Sequence, residues 1–155
     1  VQTILDRLPD SAIGVDILCG FPGETDDAFE NTVDLIDALP VAYLHVFPFS
    51  AREGTPAFSF TDAVAASTIK QRCERMRHLG RQKRRAFTGR VVGKRLTVLV
   101  EARRSKTEVG LKGLTDNYIP VRFDGPDDLA NTFQQVDIMG MSADGNLQGD
   151  LVKNI

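Results

Sequence analysis

Cysteine is scarce in this chain, and the two present, Cys19 and Cys73, stand far apart with no recurring spacing. That excludes the disulfide framework that staples small secreted domains, and it makes the reducing cytosol the expected compartment. No apolar run approaches the roughly 18 residues that a membrane crossing needs. Val1-Gln2-Thr3 opens neither a signal peptide nor a transit peptide. An initiator methionine is also missing, as expected of a segment of a longer polypeptide, and there is no internal repeat or low-complexity tract. What is there is ordinary globular composition: 155 residues, 42% apolar and 26% charged, enough for one sizeable core or two small ones.

The formal net charge of −2 hides a segregation. Residues 1–60 carry ten acids and two bases, residues 61–95 two acids and eleven bases, and residues 96–155 nine acids and six bases. A basic strip thus lies between two acidic blocks. It fits either a solvated helix face or a nucleic-acid contact, because phosphate neutralisation requires concentrated positive charge.

The first part of the chain alternates strand and helix. Ser11 to Gly20 is a mostly apolar run closed by glycine, as in a buried parallel strand. Thr25 offers an N-cap, and Asp26 and Asp27 place negative charge where the helix dipole favours it. Phe29, Val33, Ile36 and Leu39 recur at helical spacing until Pro40 ends the helix, and Val41 to Phe47 reads as the next strand. From about Val64 to Phe87 the pattern is one long helix, with Ile69, Cys73, Met76 and Leu79 on one face and bases on the others. Beyond residue 88 the period falls to two. Leu96–Val100, Tyr118–Phe123, Thr132–Ile138 and Leu147–Val152 are strand candidates, and Asp144-Gly145 is a hairpin signal. The expected fold is α/β, a strand–helix–strand layer over residues 1–88, followed over 89–155 by a small antiparallel β-barrel of the oligonucleotide-binding type.

Two phrases carry the chemistry. Gly20-Phe21-Pro22-Gly23-Glu24-Thr25 follows the first strand; its glycines allow a sharp turn and close approach to a ligand, and Pro22 stiffens it. Structural need alone also accounts for such a turn. Tyr43-Leu44-His45-Val46-Phe47-Pro48-Phe49-Ser50-Ala51-Arg52-Glu53-Gly54-Thr55 continues the second strand past its end. Arg52 presents a planar fork suited to a carboxylate or phosphate, or to a structural ion pair with Glu24 or Glu53. His45, between apolar neighbours, reads as a core histidine rather than a base. Cys19 and Cys73 read as small buried hydrophobes.

With Asp16 four residues before Gly20, the first phrase resembles the Asp-x-Ile-x-Gly-Phe-Pro-Gly-Glu of the radical S-adenosylmethionine tRNA methylthiotransferases, with Leu18 where isoleucine is usual. The second resembles their His-Val-Phe-Pro-Tyr-Ser-x-Arg-x-Gly-Thr-x-Ala, with Phe49 for the tyrosine. Residues from Gly89 to about Gly140 resemble the TRAM domain, a small RNA-binding β-barrel, through Arg90-Val91-Val92-Gly93, Val98-Leu99-Val100-Glu101 and Gly113 to Val121. The resemblance covers nearly the whole chain. It implies the last strands of a partial (β/α) barrel joined by a basic helix to the RNA-binding barrel.

The resemblance implies a parent enzyme with S-adenosylmethionine and two 4Fe–4S clusters, acting beside the anticodon on a modified adenosine. Leu18, Gly20, Phe21, Phe47 and Pro48 are then expected to wall the cofactor pocket. Arg52, Lys94, Arg95, Arg103, Arg104, Lys106 and Tyr118 are expected to hold RNA, with Phe123 either a second stacking ring or barrel core. The Cys-x3-Cys-x2-Cys cluster spacing is absent. This segment is therefore expected to hold no metal, to supply no catalytic residue and to be inactive alone. Its expected partners are a tRNA anticodon stem-loop and the N-terminal domain and first barrel half of the same polypeptide, in the cytoplasm. The run from Leu39 to Pro48 and Thr115-Asp116-Asn117-Tyr118 look most like the threonylcarbamoyl-adenosine branch. The isopentenyl-adenosine branch, the ribosomal-protein branch and a non-catalytic RNA-binding module are the alternatives.

Overall fold

The computed structural model describes residues 1–102 and 110–152, in two compact units, Val1–Lys83 and Arg84–Ile155. The first holds α1 (Gln2–Arg7), β1 (Gly14–Cys19), α2 (Asp26–Ala38), β2 (Tyr43–Pro48) and most of α3 (Ala66–Gly89). Sequence patterning carries no sign of α1, which has no buried residue to create a period. The Thr25 hydroxyl accepts from the Ala28 amide at 3.1 Å, so the cap forms where the sequence placed it. At the other end Leu39 leaves the helical region and Pro40 follows.

β1 and β2 pair in parallel, Gly14 opposite Tyr43 through Cys19 opposite Pro48. Alternation splits their side chains between two faces. Val15, Ile17 and Cys19 with Leu44 and Val46 pack into one core with Phe29 and Ile36 of α2 and Ile69, Cys73, Met76 and Leu79 of α3. On the opposite face Asp16, Leu18, His45 and Phe47 are exposed. His45 is therefore not a core histidine. It stands one step off the buried register, with its ring edge-on to Tyr43 at 5.2 Å.

The second unit is a closed five-stranded barrel of β3 (Arg95–Val100), β4 (Leu111–Thr115), β5 (Pro120–Phe123), β6 (Phe133–Met141) and β7 (Leu147–Leu151). The order is β3-β4-β5-β7-β6, closing back on β3. It is mixed rather than wholly antiparallel, because β5 and β7 run parallel. An odd number of strands closed in a ring cannot alternate direction all the way round. Val98, Val100, Leu111, Val121, Phe123, Val136, Ile138 and Leu147 fill the interior. Phe123 is thus core and offers no stacking surface.

The expected strand from Tyr118 starts later, at Pro120. Tyr118 lies at φ 62 in a turn closed by its own amide to the Thr115 carbonyl (3.0 Å) and by the Ile119 amide to the Thr115 hydroxyl (2.9 Å). β4 has no counterpart among the strand candidates. Its central Gly113 interrupts the apolar alternation, yet a Cβ there would lie 2.5 Å from Val98 Cγ1 and 2.6 Å from the Leu99 carbonyl oxygen.

Candidate functional site

The Gly20–Thr25 turn is fastened from inside. Gly20, at φ 86, donates its amide to Glu24 Oε2 at 2.8 Å, and the Glu24 amide donates to the Phe21 carbonyl at 2.9 Å. Arg72 of α3, only 5% exposed, reaches the same carboxylate at 2.6 Å, the Glu24 carbonyl at 3.0 Å and Asp26 Oδ1 at 2.6 Å. Burial opposes the Arg72 charge, and its bonds to Asp26 and Glu24 outweigh that, holding its pKa above the ordinary value. Gly23 donates to the Asp62 carbonyl at 2.8 Å, tying the turn to the segment before α3.

Two of the expected cofactor-wall residues come together. Leu18 and Phe47 are opposite each other in register, 52% and 51% exposed, on the open face of β1 and β2. Phe21 lies past the strand end, edge-on to Phe49 at 5.2 Å and to Phe60 at 6.0 Å. Gly20 does not join them: it is buried, and its missing Cβ faces the Ile69 side chain of α3. Pro48 falls on the helix side, beside an open cavity of about 320 Å³ that Phe49, Ile69, Lys70, Cys73 and Arg77 also line. One expected wall is thus divided: Pro48, adjacent to Phe47 in its strand, points the opposite way, and Gly20 lies past the end of β1 at positive φ.

Arg52 is exposed, and none of the ion pairs among the described residues includes its guanidinium. Glu24, one of its two expected partners, is occupied by Arg72. The Arg52 carbonyl accepts from the Thr55 hydroxyl at 2.7 Å, which closes the turn after β2. Cys19 and Cys73 are both buried free thiols. Burial first, and Cys73 beside it second, push the Cys19 thiol up to about 12. Among the described residues no cluster of three or more His, Cys, Asp or Glu stands close enough to hold a metal ion, and no helix is long and apolar enough to cross a membrane.

The acidic block answers part of the basic strip. Besides Arg72, Arg75 makes a two-pronged bond with Glu30 of α2, with one prong at 2.7 Å. Lys83 caps the end of α2 through the Asp37 and Leu39 carbonyls, and Arg77 donates to the Val46 carbonyl at 3.3 Å. Lys70, Arg81, Arg84 and Arg85 stay exposed.

On the barrel, Lys94 is exposed, whereas Arg95 clasps Asp137 across the sheet at 2.7 and 2.9 Å. Tyr118 is 78% exposed. Arg103, Arg104 and Lys106 lie outside the described residues. Sequence reading missed Phe133, whose ring is 71% exposed on the barrel wall. The signal was present: it stands two and four residues from Gln135 and Asp137, on the polar phase of its strand.

No family model matches the chain. Among curated proteins it is similar to three named tRNA-2-methylthio-N(6)-dimethylallyladenosine synthase. Identity is 37% to that of Protochlamydia amoebophila, over 97% of this chain and 33% of the relative. It is 35% to that of Pseudoalteromonas atlantica, over 94% and 30%, and 34% to that of Klebsiella pneumoniae, over 99% and 32%. The chain spans about a third of the length of these relatives.

Their names correct the expected threonylcarbamoyl branch. The phrases that pointed to it do structural work: Leu39-Pro40 ends α2, and Thr115 to Tyr118 forms the tight turn into β5. Along nearly its whole length, then, the chain is similar to about a third of proteins named tRNA-2-methylthio-N(6)-dimethylallyladenosine synthase, and nothing in that similarity favours the threonylcarbamoyl branch.

Proposed function

We propose that this chain is part of a tRNA methylthiotransferase acting on dimethylallyl-adenosine, with β1 and β2 forming part of an S-adenosylmethionine pocket and the five-stranded barrel holding the RNA. The observation that carries the first half is the open face of β1 and β2. One face of that pair is sealed by two helices, while Leu18 and Phe47 lie half-exposed side by side on the other. An apolar pair of this kind suits the flat adenosine portion of the cofactor.

With a cluster held elsewhere in the whole enzyme, the bound cofactor would supply the radical and the methyl group. The residues here do the positioning. Leu18 and Phe47 exclude water and contact the ring. Arg72 and Glu24 hold the turn at the strand end so that its backbone keeps one conformation. Arg52, exposed and in none of the ion pairs among the described residues, is available to a carboxylate or phosphate of the ligands.

Phe47→Ala in the full-length enzyme tests the reading. Equilibrium dialysis should show S-adenosylmethionine binding weakened by roughly tenfold, the scale of about 1.5 kcal/mol for one buried aromatic side chain. Arg75→Ala, on the solvated side of α3, should leave binding unchanged. Equal affinity for the Phe47 variant and the parent would remove this face from the pocket.

A further inference from the structure

The strand registers bring four apolar side chains into one row on the outer wall of the barrel. Phe133 of β6 stands opposite Leu99 of β3, Leu99 opposite Leu114 of β4, and Leu114 opposite Pro120 of β5. Alternation fixes their side. Val98, Val100, Val121 and Val136 belong to the core, so residues 99, 114, 120 and 133 face away from it. Phe133 and Leu99 are among the exposed large hydrophobic residues. The rows on either side are polar. Along one edge Thr97 faces Gln135, whose Nε2 donates to the Thr97 hydroxyl at 2.8 Å. Along the other, Lys112 faces Arg122, with Lys112 also 3.6 Å from Glu101.

We propose that this row is a stacking platform for an unpaired RNA base, with Phe133 as its main ring, Gln135 and Thr97 beside the base edge, and Lys112 and Arg122 on the phosphate side. The proposal rests on the reading of the barrel as the RNA-holding unit and says where on it a base lies. Three features favour RNA over a protein partner. The apolar strip is one side chain wide, far short of the area a stable protein interface buries. Aromatic stacking accepts any base, because every base has a π face. The neighbouring row, about 7 Å away at two residues along a strand, carries Lys112 and Arg122 against the single acid Glu101, a net positive edge that suits a chain whose apolar and anionic parts alternate.

The chain contains no tryptophan, so Phe133→Trp places a single reporter on the platform. With the 155-residue chain and a short single-stranded oligoadenylate as probe, emission from the introduced indole should be quenched saturably as RNA is added. In fluorescence anisotropy, Phe133→Ala should weaken binding by about 5- to 150-fold with the salt slope unchanged. Lys112→Ala should instead flatten the slope.

If the parent binds RNA while a folded Phe133→Ala binds it within about twofold of the parent, the platform is wrong and the RNA-holding barrel stands. If the parent binds no RNA, both readings fall. An emission change that depends on protein concentration, without RNA, assigns the row to self-association and also overturns the proposal. Should Phe133→Ala not fold, as judged by circular dichroism, the quenching of the tryptophan variant decides alone.

Discussion

Arg72 is a permanently charged side chain in a nearly closed environment, and its worth follows from what removing it would strand. Glu24 would lose its partner while still accepting the Gly20 amide, and the turn after β1 would keep a half-buried carboxylate with no cation. Breaking such a pair from one side costs about 3–5 kcal/mol. Arg72→Ala should lower stability by that amount in urea denaturation, and Arg72→Lys should recover only part of it, because an ammonium cannot span Glu24 and Asp26 as the guanidinium fork does. A loss well under 1 kcal/mol would show that the turn is held by other means. The buried thiols make a second expectation. With Cys19 raised from 9.0 to about 12, the folded chain keeps a proton that the unfolded chain releases, so stability should fall as pH rises from about 9 through about 12. At neutral pH a disulfide reagent should find neither cysteine in the folded chain and both in denaturant. Rapid labelling of Cys19 without denaturant would contradict its burial.

Between elements of the first unit, an acidic helix is ion-paired with a basic one. Glu30 meets Arg75, Asp26 meets Arg72, and the carboxyl end of α2 meets Lys83, which lies 3.7 Å from the Asp37 carboxylate. The exposed pairs contribute little individually, and their alignment serves mainly to orient α2 against α3. In the barrel the limiting approach is steric. Gly113 lets β4 cross close under β3, where any side chain would meet Val98 and the backbone of Leu99. Gly113→Ala should therefore cost roughly 1–3 kcal/mol, the usual cost of overpacking. A thermal melt of that variant with an unchanged midpoint would mean that the two strands can part without penalty. Strand periodicity reveals β3, β5, β6 and β7 and misses β4 because of this glycine: the residue that packing demands erases the pattern by which strands are recognised.

At the scale of the whole molecule, charge that is segregated along the sequence is partly re-paired in space, which reduces the cations available to the proposed RNA contact. Arg95 is the clearest barrel case, since Asp137 already answers it. Replacing Arg95 by alanine should therefore change the salt dependence of RNA binding less than the Arg103→Ala, Arg104→Ala double substitution does. The double variant should weaken binding to all sequences alike and flatten the slope by roughly 0.7–0.9 for each phosphate no longer neutralised. Anisotropy across a salt series checks it, and a slope unmoved by the double change would place the phosphates elsewhere. By itself the sequence determined the local features: the Thr25 cap, the stop at Pro40, the parallel strand–helix–strand order, the two strand-end phrases and the shift to short strands near residue 88. Each depends on neighbours a few residues apart, within reach of backbone propensity and side-chain period. Only the tertiary structure decided which face a strand residue occupies and which charges are spent. It turned Gly20 and Pro48 away from Leu18 and Phe47, brought His45 out and sent Phe123 in. It also lined up Phe133, Leu99, Leu114 and Pro120 from four different strands. Those outcomes depend on contacts between distant segments, and for the strand residues a one-residue shift of register would reverse the face each one occupies.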